Sequence, residues 1–166
     1  DDFPFSENLD DLLSDQKLLA LSRINHTLKT YGPLDEPGAC LILGKFFESQ
    51  SQIRQAYHEL VRATELTTTD PEPLLFVANM FVTYGMPDKT QPFIEKLREM
   101  HKTNAFQPEQ QVQLIGIETG VRLLQTDLAT AEKYLTEQLE PHMATLPGLQ
   151  TALGFYMENE LPEKAL

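Results

Sequence analysis

The chain has 166 residues with 25 acidic against 13 basic side chains, a net charge of −12, and this sustained negative field repels phosphate backbones and anionic headgroups. Nucleic acid and membrane surfaces are therefore poor partners. A hydrophobic share of 41% is enough for a core, yet the longest apolar runs, Ala39 to Leu43 and Leu74 to Ala78, have five residues each, far short of the roughly 18 a membrane span needs.

Six acids and no base fall in the first fifteen residues (Asp1, Asp2, Glu7, Asp10, Asp11, Asp15). Residues 1–12 read as a solvated acidic leader, or alternatively as a tail that docks on a basic surface. Residues 13–36 hold a first helix, with Leu13, Ala20, Leu21, Ile24, Leu28 and Tyr31 at helical spacing and Gly32-Pro33 as its stop. Asp35 is expected to cap the next helix, with Pro37 in its first turn, running to about Glu48. A polar turn at Ser49 to Gln52 leads into a helix ending near Leu66. Asp70-Pro71-Glu72 repeats the start signal, and Gly85 closes that helix. Its successor covers about Asp88 to His101, where Pro92 is tolerable only near the first turn. After a break at Asn104 to Pro108, helices are expected over about Glu109–Gln125, Leu128–Glu140 and Pro147–Glu158. No alternating run marks a strand, so the fold class is all-α.

The stretch Pro37 to Phe47 can be laid over Pro71 to Phe81 at an offset of 34 residues, with proline first, Gly44 or Ala78 eighth, and Phe47 or Phe81 eleventh. A period of 34 residues with two helices per unit marks a stacked helical repeat. In the unit counted from Pro37, Leu43, Gly44, Phe47, Ala56, Leu60 and Ala63 occupy the seventh, eighth, eleventh, twentieth, twenty-fourth and twenty-seventh places. In the unit counted from Pro71, Leu74, Val77, Ala78, Phe81 and Ile94 fit, while Thr90 and Leu97 are larger than the pattern prefers. These residues resemble the tetratricopeptide repeat. The resemblance implies a right-handed α-solenoid of antiparallel helix pairs over residues 37–166, in units 37–70, 71–108, 109–146 and a partial 147–166. It also implies that Gly44 packs against Ala56. In the third unit Gly116 and Gly120 share one helix face, either for helix packing or for close approach of a ligand.

Repeats of this family usually hold a peptide in the groove lined by the first helix of each unit. That places Lys45, Glu48, Leu75, Asn79 and Val82 as groove candidates, although residues such as Leu75 and Val82 more often serve the core between repeats than a ligand. The family's carboxylate-clamping pattern is missing, because Leu41 stands where a lysine would be and Phe76 where an asparagine would be. The acidic surroundings favour a basic or amphipathic protein or peptide partner.

Catalytic chemistry has no constellation to stand on. His26, His58, His101 and His142 are scattered without the spacing of a helical metal site, and no phosphate loop or nucleophile elbow occurs, so neither a cofactor nor an activity is expected. Cys40 is the only cysteine, which rules out an intrachain disulfide and fits the cytosol without excluding other compartments. The sequence opens on Asp1 and the fourth unit is incomplete, so a longer parent is expected. Three readings follow: an adaptor module, a regulatory or substrate-recruiting segment of a larger enzyme, or self-association through an uncapped C-terminal face around Phe155 and Tyr156.

Overall fold

A computed structural model describes residues 15–32, 36–67 and 69–161. The acidic leader, the Asp35 cap and the last residues of the partial fourth unit, 162–166, lie outside the described residues. Among those described, every regular element is helical: α1 (Asp15–Tyr31), α2 (Pro37–Ser49), α3 (Ile53–Leu66), α4 (Glu72–Thr83), α5 (Pro87–Thr103), α6 (Pro108–Gln125), α7 (Leu128–Leu139), a 3-10 turn (Glu140–His142) and α8 (Leu146–Glu158). They group into two compact units, residues 1–73 and 74–166. No helix among them is long and apolar enough to cross a membrane.

Proline and glycine set the ends. Gly85 follows α4 at φ +71, a left-handed conformation that only glycine adopts without a Cβ clash. Asp70 Oδ1 accepts the Glu72 N–H at 3.0 Å, satisfying a first-turn donor of α4. Asp127 Oδ1 does the same for the Thr130 N–H at 2.7 Å, and these amide bonds hold its carboxyl below the usual range. Glu36 occupies the cap position of α2 and makes no side-chain cap bond. Pro92 is the sixth residue of α5, which begins at Pro87, and so lies inside the helix just past the first turn near which it was expected. Its missing N–H leaves the Asp88 carbonyl without the usual helical donor on the exposed side of the helix.

In the first unit, α2 and α3 are joined by three residues and pack along each other. Cys40, Leu41 and Phe47 from α2 meet a stripe of Ile53, Ala56, Leu60 and Ala63 from α3, all buried. The stripe recurs every three or four residues, as one helix face requires. Gly44 is the contact point, though its nearest neighbour is Leu60 rather than Ala56. A Cβ on Gly44 would lie 2.6 Å from Leu60 Cγ. Glu59 sits half-buried beside this seam with its Oε2 unpartnered. Burial pushes its carboxyl up, against the opposing pull of Arg62, His58 and the Cys40 thiol.

In the second unit, Leu74, Leu75 and Ala78 of α4 share a cluster with Ile94 and Leu97 of α5 and Leu114, Ile117 and Val121 of α6. The Phe81 and Phe93 rings lie 5.7 Å apart. Thr90 is wholly buried with its hydroxyl donating to the Met86 carbonyl at 3.2 Å, so a residue larger than the repeat pattern prefers is accommodated without an orphaned polar atom. A further cluster joins Val112 of α6, Leu135 and Leu139 of α7 and Ala152 of α8.

Two outcomes are expected from the first unit. Gly44→Ala should lower unfolding free energy by about 1–3 kcal/mol in urea titration, since a wholly buried Leu60 blocks the new methyl and outweighs the helix-propensity gain. Glu59→Gln should raise Tm at pH 7. The raised folded-state pKa of Glu59 means that folding loses stability as pH climbs through it, so removing the charge restores that loss. The gain should vanish below about pH 4, where the wild-type carboxyl is protonated in both states.

Candidate functional site

The second unit carries a cleft of about 610 Å³ between α4, α6 and α8. Its floor is made by small residues. Gly120 lets α4 close in, since a Cβ there would fall 2.5 Å from Val82 Cγ1. Gly116 faces Thr151 Cγ2 at 3.6 Å from its notional Cβ, and Gly154 of α8 has nothing within 4 Å. The two α6 glycines thus face different helices, Val82 of α4 and Thr151 of α8, and both also line the cleft.

Around this floor the lining is mixed. Val82, Leu123, Leu124 and Phe155 supply apolar surface, and Asn79 and Thr83 supply exposed polar groups. Asn159 Nδ2 donates to the Phe155 carbonyl at 2.8 Å, which fixes the side chain and leaves Oδ1 as an acceptor. Among the described residues, Glu158 is the single charged one lining the cleft. Thr119 is buried and its hydroxyl donates to the Ile115 carbonyl at 2.8 Å, so it adds shape rather than a free donor.

Of the groove candidates, Asn79 and Val82 come together here. Leu75 is 3% exposed and belongs to the core cluster of its unit. Packing is therefore what occupies it. Lys45 and Glu48 lie on α2 in the first unit. Lys45 Nζ donates to Glu72 Oε1 at 2.5 Å, so its charge is already engaged within the chain. None of the α8 contribution, Thr151, Gly154, Glu158 and Asn159, was among the groove candidates read from the sequence. The start of the last helix at Pro147 could have pointed to most of it, because Thr151 and Glu158 stand fifth and twelfth from Pro147 as Leu75 and Val82 stand from Pro71.

Behind the cleft, the opposite face of α6 is pinned by a buried carboxylate. Arg98 of α5 reaches Glu118 Oε1 through Nε at 2.7 Å and Nη2 at 2.6 Å. The Tyr134 hydroxyl of α7 donates to Glu118 Oε2. Arg122 lies 3.6 Å above the Tyr134 ring and donates to the Glu118 carbonyl at 3.2 Å. Burial, then the bond to Glu118, push the Tyr134 hydroxyl well above the usual tyrosine range, so it stays a donor at any physiological pH. Glu118 therefore ties α5, α6 and α7 together through charge-assisted bonds of the stronger kind.

No group of three or more metal-ligating side chains forms among the described residues. No protein-family model, curated protein or solved structure matches the chain.

Glu118→Ala should destabilise the protein by about 2 kcal/mol. That is less than for a fully buried pair, because Arg98 is half-exposed and rehydrates, but it is more than a surface bridge would give. Tyr134→Phe should lose less, and urea titration of both variants checks the order.

Proposed function

We propose that this chain is a non-catalytic protein-interaction module of the tetratricopeptide kind. In this reading the helix pairs stack as a solenoid, and a peptide or helix of a partner protein lies in the cleft between α4, α6 and α8. The observation that carries it is the cleft itself. A glycine-floored trough with apolar walls and two asparagine side chains suits a peptide backbone, whose amides need donors and acceptors while its side chains seek apolar contact. Helix order supports the stacking. α6 contacts α5, α7 and α8, and α7 contacts α8, the nearest-neighbour pattern of a repeat array. A charge of −12 and the lone Glu158 in the cleft favour a ligand with basic character and speed its encounter at low salt.

The test exploits Gly154, which lines the trough and where an added Cβ would have no protein atom within 4 Å. Gly154→Phe should leave Tm unchanged or raised, since glycine in a helix interior is about 1 kcal/mol worse than alanine. Peptides enriched from a random display library on the wild-type protein should bind the variant at least about tenfold more weakly. They should also shift the Gly116 and Gly120 amide resonances. Peptides that bind both proteins equally, without shifting those resonances, would remove the cleft as the working surface.

A further inference from the structure

The outward side of α8 is apolar where a surface helix is ordinarily polar. Leu146 and Met157 are 68% and 57% exposed, and Leu149 and Leu153 are each 49% exposed. Spacings of three, four and four residues line them up as one stripe along the helix. Beside the stripe, between α7 and α8, lies a notch of about 350 Å³ lined by Leu135, Leu139, Met143, Ala152 and Tyr156, with Glu137 and Glu140 at its edge. The notch shares Leu135 with the cleft, but α8 lines the cleft with a different face, that of Thr151, Gly154, Phe155 and Glu158.

The surrounding charge decides what fits. Between residues 140 and 161 there are three acids (Glu140, Glu158, Glu160) and no lysine or arginine. Lys133 of α7 is paired with Glu137 at 3.9 Å. A second copy of this chain, related by a two-fold axis, would set like carboxylates against each other across the apolar stripe. A partner with basic flanks would instead meet complementary charge while burying the leucines.

We propose that the stripe and notch of α8 dock an amphipathic helix of another protein, with leucine-sized side chains along one face and lysine or arginine beside them. Anchors at helical spacing enter the notch past Met143 and Tyr156, and the basic flanks face Glu140 and Glu160. Burial of the leucines provides the driving force, and the acids set orientation and partner choice.

Two labelled helical model peptides of about fourteen residues test this, one of leucine and lysine at amphipathic spacing and one with glutamate replacing lysine. By fluorescence anisotropy the lysine peptide should bind at least about tenfold tighter than the glutamate peptide, and more weakly as salt rises. The exposed double substitution Leu149→Gln with Leu153→Gln keeps every charge. It should lose at least about tenfold in affinity for the lysine peptide with an unchanged circular dichroism spectrum. Gly154→Phe should bind that peptide as the wild type does. Equal binding of the lysine peptide by the double variant would reduce the interaction to the protein's overall field and overturn the proposal. So would a concentration-dependent dimer in sedimentation velocity that the double variant abolishes, since a second copy would then be the occupant.

Discussion

The close approach of α6 to α4 at Gly120 is the constraint on which the second unit turns. Val82 Cγ1 occupies the space a side chain would need, so the two helices can lie nearer than any other residue at 120 would allow. That approach shapes one wall of the cleft and brings Ile117 and Val121 into the same core as Ala78 and Leu75. One missing methyl thus serves both packing and access. A native-density interior tolerates such a contact only if neighbouring helices are fixed in turn.

Glu118 provides that fixing from the other side of α6. A buried carboxylate is stable only when its lone pairs are met, and here Arg98 and Tyr134 meet one oxygen each. The helix is therefore clamped between an apolar seam toward α4 and a polar one toward α5 and α7. Its residues enter both core clusters, with Leu114 in one and Val112 in the other. The polar seam is directional where the apolar one is not, and it selects a single rotation of α6 about its axis. That rotation presents Gly116 and Gly120 to the trough.

The helical layout was legible because prolines and glycines bracket the periodic segments. Gly85, Asp70 and Pro108 mark boundaries that the structure keeps within a residue or two. The site was less legible. Asn79 could be picked out because a core does not choose an exposed amide, but Leu75 and Val82 read alike and only tertiary contacts separated them. Lys45 looked available, since its partner Glu72 stands 27 residues away in the sequence. Glu118 gave no signal at all: glutamate in a helix is ordinarily on the surface, and only three helices meeting around it make it structural.

Helix contacts in the second unit join α5 with α6, α6 with α7 and α8, and α7 with α8, elements adjacent or next but one along the chain. In the first unit α2 meets α3 across three residues. Loop closure of this kind sacrifices little entropy, so native contacts can begin to form before distant sequence is present. On a ribosome the α2–α3 pair could bury Leu60 against Gly44 while α8 was still being made. The gathering of Arg98, Glu118 and Tyr134 comes later, since three separately synthesised helices must arrive before the carboxylate can leave water.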